Sequence, residues 1–425
     1  MPTKNSLVDI SKSRALALAF EYLVFAFMAL TLVLYRSFNL LGMLLVVIAS
    51  IAVAKNLNNL PRLDRESHWL FIILIANLLL ASCYVIIGRD SPGILQDPLT
   101  MMCMIPMMLA VPILGLQPRR LFLGLALGML AAALVVSYQY YRLGVYRPAI
   151  SLNPNPFSEI AMVSCALLLS SLLSCSGWKK TLSVLGALAA FYCVIISETR
   201  GTLIAVISMG MVAGVVFLKY RPRFDLSTTG QGKKYLTIGI AAIILIFAGL
   251  AFQYGSGISK RLATAVDNFT AYYSDRSYYS SLSVRMELWY SVWLSFKEAP
   301  LTGIGSDNRI QYLADLESAG KVYLNNYPWR HSHSDYLDSL QRQGLPGMLL
   351  VITLYGVLAR LFWRGLNTDS NEQFTLALGG LMVVTGYATF SLTEVPLRNT
   401  PTLVFFTVLV GVLLGLSKQD QKYPG

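Results

Sequence analysis

Charged residues are scarce in this chain: Asp, Glu, Lys and Arg make up 13% of its 425 residues, against 55% hydrophobic. With a mean hydropathy of +0.57 and apolar runs of bilayer length recurring along the chain, this scarcity argues against a soluble globular domain and for a polytopic membrane protein. There is no G-x-x-x-x-G-K-[ST], so the chain carries no nucleotide-driven motor of its own. There is no D-x-D; the nearest acidic pair in a hydrophilic stretch is Asp315-Leu316-Glu317, weak grounds for a divalent cation, so no metal or other cofactor is expected. The five cysteines (Cys83, Cys103, Cys165, Cys175 and Cys193) fall in or at the edge of apolar runs without a C-x-x-C pair, predicting neither disulfide nor metal site. The first apolar run, after Lys12 and Arg14, is too long for a signal-peptide core and lacks a small-residue cleavage site, so it is expected to stay as the first helix.

The apolar windows predict an all-α fold of about twelve spans, near 15–35, 38–54, 69–87, 99–116, 121–140, 157–175, 181–197, 201–218, 235–253, 345–363, 373–393 and 399–417. If the N-terminus is inside, the inside segments carry nineteen Lys and Arg, and the short outside segments carry only Arg36, Arg89, Arg142, Arg147, Arg200 and Arg398. Short positive loops resist translocation, so this asymmetry supports both an even number of spans and cytoplasmic termini. It also accounts for most of the net charge of +12, which in a soluble domain would suggest nucleic acid. The chain then divides into spans one to nine (1–253), a large outer loop (254–344) and spans ten to twelve with a tail (345–425). Outside the membrane, chemistry must run without ATP.

The outer segment holds ten tyrosines and Trp289, Trp293 and Trp329, a composition that suits a packed lid, an interfacial aromatic belt or a surface that stacks on sugar rings. Residues 284–298 predict an amphipathic helix with Arg285, Trp289, Val292, Trp293 and Phe296 on one stripe, ended by Pro300-x-x-Gly303. Two of the three histidines, His331 and His333, follow. From His333 to Gln343 the spacing predicts a helix with His333, Tyr336, Leu337 and Leu340 on the buried stripe and Asp335 and Asp338 pointing elsewhere, so any carboxylate partner of His333 comes from a distant part of the chain. A lone histidine on such a stripe is more often a satisfied core residue than a catalyst. Gly344 and Gly347 suit a helix break and re-entry, with Pro346 in the first turn of the next span. Arg200 sits in a short outside turn, against the positive-inside trend; it is either an anchor, an ion-pair partner of Glu198, or a cation wanted by a phosphate. Glu21, two turns into the first span, marks a functional or paired site whose partner the sequence does not name.

His333-Ser334-x9-Gly344-x-x-Gly347 resembles the signature of the O-antigen ligase (WaaL) family, part of a larger group with Wzy-type O-antigen polymerases and O-oligosaccharyltransferases. The Arg200-Gly201 turn, Arg285 followed by Pro300-x-x-Gly303, and a large outer loop before span ten are similar as well. The second-largest outer loop, about 141–156, is short for a polymerase, which favours a ligase. The resemblance implies transfer of a preassembled glycan from undecaprenyl pyrophosphate to lipid A-core, at the periplasmic face of a Gram-negative inner membrane. The expected partners are those two lipid-linked substrates and membrane lipids, with no nucleic acid and no nucleotide. It further implies Arg200 and Arg285 as guanidiniums for the pyrophosphate, and His333 as base for the acceptor hydroxyl, with His331 a weaker substitute. Arg147, Arg309, Arg330 and Arg342 are available for phosphates of the lipid acceptor. A Wzy-type polymerase is the alternative, and a transporter, from twelve spans, the second; the chain shows no internal repeat of the kind many transporters have.

Overall fold

The computed structural model describes residues 4–34, 36–61, 63–220, 280–325 and 327–419, with isolated positions 270 and 274. The described residues are helical without strands: α1 Lys4–Leu30, α2 Ser37–Lys55, α3 Arg65–Ile86, α4 Gln96–Met102, α5 Met104–Leu114, α6 Pro118–Tyr141, α7 Pro154–Ser171, α8 Trp178–Ile196, α9 Arg200–Lys219, α10 Ser281–Glu298, α11 Arg309–Ser318, α12 Asp335–Gly365, α13 Asn371–Phe390 and α14 Thr400–Gln419. Eleven of the twelve predicted spans lie on these helices, the fourth of them on α4 and α5 together; the span at 235–253 lies outside the described residues. Among the described residues, nine helical stretches are long and apolar enough to cross a bilayer. The chain is therefore a multi-pass membrane protein.

Burial separates the centre of the bundle from its rim. Apolar windows of α13 and α14 are 83% and 78% buried, whereas that of α9 is 22% buried. Two Gly-x-x-x-Gly pairs let backbones close up, since lipid offers no hydrophobic drive for helix association and dispersion contacts must supply it. A Cβ at Gly124 or Gly128 of α6 would lie within 2.7 Å of a backbone carbonyl of α1, and one at Gly415 of α14 within 2.7 Å of the Met108 carbonyl of α5. The intramembrane Glu21 has a partner, Arg120 Nε of α6 at 3.0 Å, which removes the cost of an isolated charge there.

At one end of the bundle a smaller unit sits over α12. Its own core gathers Val284 and Leu288 of α10, Leu313 and Leu316 of α11, and Val322 and Leu324. The described part of residues 254–344 thus has a packed core of its own, with Tyr312 and Trp329 at its edge. α10 begins where Ser280 and Ser283 cap reciprocally, Ser280 Oγ accepting from Ser283 N at 3.1 Å and Ser283 Oγ from Ser280 N at 2.6 Å.

Candidate functional site

The site is built around the start of α12. Ser334 is its N-cap: its Oγ accepts from Leu337 N at 3.5 Å and donates to Ser391 O at 2.9 Å, tying the helix to the turn between α13 and α14. Asp335 N donates to Ser391 O at 3.0 Å and Glu394 O at 3.2 Å. Immediately before the cap, His333 adopts φ 53°, a left-handed conformation that costs a non-glycine residue about 1 kcal/mol or more. That reversal turns the imidazole out of the helix and across to the 391–399 turn. The His-Ser pair therefore has a division of labour: the serine starts the helix and the histidine is presented beside it.

Glu394 is the carboxylate that His333 meets. His333 Nδ1 lies 3.2 Å from Glu394 Oε2, Arg285 Nη2 donates to Glu394 Oε1 at 2.6 Å, and Asn155 Nδ2 donates to the same oxygen at 2.7 Å. With Nδ1–H donating to the carboxylate, the Nε2 lone pair of His333 is free to accept a proton. The site stays reachable: the side chains of His333, Arg285 and Glu394 are 18%, 27% and 14% exposed. Trp289, one turn beyond Arg285 on α10, donates from Nε1 to Ser332 O at 3.0 Å and holds the histidine loop. Rings of His331 and Trp329 stand edge-on to His333, with centroids 4.4 and 5.6 Å away.

From the other side, Arg147 Nη2 donates to Asn155 Oδ1 at 3.3 Å and its Nε to Ser197 O at 3.0 Å. Arg147, with φ 54°, thus links the Glu394 cluster to the turn that precedes Arg200. Glu198 of that turn, at φ 50°, accepts from Tyr146 Oη at 2.8 Å. Arg200 opens α9, and a Cβ on Gly201 would come within 2.9 Å of Thr393 Oγ1, so the helix start abuts the turn that carries Glu394. The Arg200 side chain lies outside the described residues.

Beneath this layer lies a second carboxylate. Asp338 Oδ1 accepts from Arg309 Nη1 at 3.0 Å and Ser332 N at 3.1 Å, while Oδ2 accepts from Arg398 Nη1 at 2.6 Å and Arg342 Nη1 at 3.3 Å. It is fully buried and joins α11, the histidine loop, α12 and the 391–399 turn. Asp335 does similar work, accepting at Oδ2 from Ser391 Oγ at 2.7 Å and Leu397 N at 3.1 Å.

The two glycine motifs interlock. Ile304 N and Gly305 N donate to the carbonyls of Gln341 and Arg342, and Leu345 N donates to Pro300 O. Gly344, at φ 67° and ψ −162°, breaks α12 in a conformation essentially confined to glycine, and a Cβ there would lie 2.5 Å from Leu301 C. A Cβ at Gly303, also at positive φ, would lie 2.5 Å from Arg342 C. Pro300-x-x-Gly303 and Gly344 are thus opposite halves of one clasp. Gly347 is held close to its own helix, where a Cβ would meet the Gln343 side chain at 2.6 Å.

Electrostatics separate the two layers. Burial, with His333 beside it, pushes His331 down to about 4, so it stays neutral near neutral pH and is no cation for a phosphate. Burial likewise lowers Arg309 to about 10, against the pull of Asp338. For Arg398 burial works downward, but Asp338 and Asp97 outweigh it and raise its pKa.

Several expectations need correction. The helix starts at Asp335, so His333 stands before the cap and shares no stripe with Tyr336, Leu337 and Leu340. Asp335 and Asp338 do not point away from the interior; both are buried, Asp338 under Arg309, the histidine loop and Arg398, and Asp335 against the 391–399 turn. Nor does the stripe on α10 form one surface: Val292 is buried and Trp293 half-exposed, the buried face running through Val284, Leu288 and Ser291. Among the six arginines singled out, the structure brings Arg285 and Arg147 to the cluster and Arg200 beside it by its backbone. Arg309 and Arg342 are sequestered on Asp338, and Arg330 is exposed. Sequence reasoning missed Glu394 and Asn155; a Glu inside the short turn between the last two spans was the available signal.

An all-helical, multi-pass membrane protein with a histidine–carboxylate–arginine cluster at one end of its bundle is the class these features define. Residues 185–352 match the family model described as O-Antigen ligase, which supports membership of the O-antigen ligase family and points to a membrane enzyme that transfers glycans. The match takes in Arg200, Arg285, His331, His333 and the clasp, and stops short of Glu394. A protein of Haemophilus influenzae described as uncharacterized is 21% identical over 349 residues, 82% of this chain and 85% of that protein.

Proposed function

We propose that this protein is an O-antigen ligase that moves a preassembled glycan from undecaprenyl pyrophosphate to a hydroxyl of lipid A-core, on the periplasmic side of the inner membrane. The observation that carries the reading is His333 held by Glu394 in an accessible cluster that also contains Arg285. In the reaction the acceptor oxygen bonds to the anomeric carbon as the bond from that carbon to the pyrophosphate oxygen breaks. The hydroxyl proton passes to His333 Nε2, and Glu394 stabilises the imidazolium that results, as a carboxylate does for a catalytic histidine elsewhere. Undecaprenyl pyrophosphate leaves with the negative charge.

Pyrophosphate is a good leaving group, so the site needs charge stabilisation more than a general acid. Arg285 spends one nitrogen on Glu394 and keeps other donors on a side chain that is 27% exposed, and Arg200 starts a helix that abuts the turn carrying Glu394. Guanidiniums give bidentate, charge-assisted contacts that a lysine cannot reproduce. The reading needs no metal and, by direct in-line attack, inverts the anomeric centre. Arg147 holds Asn155 and the Ser197 carbonyl, which makes it a positioning residue.

The test is a purified reaction of the full chain with undecaprenyl-pyrophosphate glycan and lipid A-core, in EDTA and without nucleotide, read on a gel. Glycan-bearing lipid A is expected. Longer undecaprenyl-linked chains in its place would make the protein a polymerase, and no transfer of either kind from folded protein would overturn the enzyme reading.

A further inference from the structure

We infer that the groove between α3 and α12, at the end of the bundle remote from His333, is a binding site for one anionic phospholipid. The groove has a volume of about 490 Å³ and is walled by Trp69, Ile73 and Ala76 on α3 and by Leu350, Thr353 and Val357 on α12. That volume suits a length of acyl chain rather than a whole lipid. Arg360 lies sixteen residues beyond the Gly344 break, about 24 Å along a helix, which places this groove across the membrane from the histidine cluster.

Charge at the mouth of the groove distinguishes it from ordinary lipid-facing surface. Arg65 and Arg360 line it, and Arg364 is close by. Among the described residues one carboxylate serves the three: Glu66 pairs with Arg364 and lies 3.5 Å from Arg360 Nε. The neighbouring Asp64 is engaged by Lys418 Nζ at 3.0 Å. Among the described residues, two positive charges are therefore left uncompensated at one end of an apolar trough. Arg360 is 69% exposed on its side chain, so beside Glu66 its guanidinium still has donors that a headgroup can reach. Trp69, one turn along α3 from Arg65 and 48% exposed, sits where an indole bridges headgroup and chain. An anionic phosphate on a diacyl tail satisfies both parts of this surface, the tail excluding water from the trough and the phosphate accepting from the arginines.

The full-length protein is reconstituted in nanodiscs of equimolar phosphatidylglycerol and phosphatidylcholine, extracted in mild detergent and examined by native mass spectrometry. Wild type is expected to retain one phosphatidylglycerol with a preference of about tenfold over phosphatidylcholine. Arg65→Gln with Arg360→Gln should bring that preference close to unity. Ala76→Trp, which fills the trough and leaves both arginines, should remove the retained lipid. Equal retention of the two lipids by wild type, or an undiminished preference in the double variant, would overturn the inference. So would displacement of the lipid by inorganic phosphate alone, which would make the site one for a free anion. A thermal melt of each variant separates lost lipid from lost fold, and Thr353→Trp, on the opposite wall, serves if Ala76→Trp does not fold.

Discussion

Two carboxylates a short distance apart organise this end of the molecule, and arginines claim both. Glu394, 14% exposed, holds Arg285, Asn155 and His333, whereas Asp338, fully buried, holds Arg309, Arg342 and Arg398. Residue type does not distinguish the two clusters; the exposure left to Arg309 and Arg342 against Arg285 does, Arg398 at the edge of the buried cluster being 28% exposed. Arg309 is 2% exposed and its charge is committed inward, so it holds the scaffold. Arg285 is 27% exposed and can still donate to something that arrives from outside. The buried pair is costly to assemble and costly to break, while the exposed one is cheap to break and chemically useful.

Substitutions should separate the two clusters. His333→Ala is expected to lower transfer by about 10²- to 10⁴-fold while the protein still inserts and melts like wild type; transfer at the wild-type rate would remove the base assignment. Asp338→Ala leaves three guanidiniums without their carboxylate and should cost about 3–5 kcal/mol of stability. Loss of expression or a strongly lowered melting temperature in detergent checks this, and a normal melt would show that Asp338 is no scaffold. Arg285→Lys and Arg309→Lys form the sharpest contrast. The first should cut transfer about tenfold or more with stability kept, because a point charge cannot replace the fork. The second should lower stability by about 1–3 kcal/mol with transfer per folded molecule unchanged. If both variants lose activity alone, the division between the clusters is wrong.

A further effect concerns pH. His331 has its folded pKa depressed to about 4 from 6.5, so below 6.5 the unfolded chain takes up a proton that the folded chain refuses. Its contribution is fully present above about 6.5 and is lost as pH falls toward 4. Melting temperature should fall across that window, and His331→Gln should flatten the fall. An unchanged slope in the variant would place the titrating group elsewhere.

Much of the fold was legible because a bilayer leaves few options: every backbone group must be satisfied within its helix, so hydropathy marks spans directly. Of the site, the residues were legible and the arrangement was not. His333, Arg285 and the glycine motifs stand out as types in the sequence, but the left-handed turn at His333 depends on a cap and a partner turn that helical periodicity does not encode. For the same reason Asp335 and Asp338 were misplaced: periodicity describes one buried face, and here α11, the histidine loop and the 391–399 turn all close on the helix. Glu394 lies 61 residues from His333 in the turn between the last two spans, and no spacing rule connects the two.

The central claim is that Glu394 orients His333 for proton transfer. The most direct measurement is the transfer rate of Glu394→Gln per folded molecule, with the melting temperature taken on the same sample. The account predicts a loss of about 10²-fold or more in rate with little change in melting, since the amide keeps the shape but can no longer fix the tautomer or stabilise the imidazolium. A wild-type rate in a normally folded Glu394→Gln protein would contradict it.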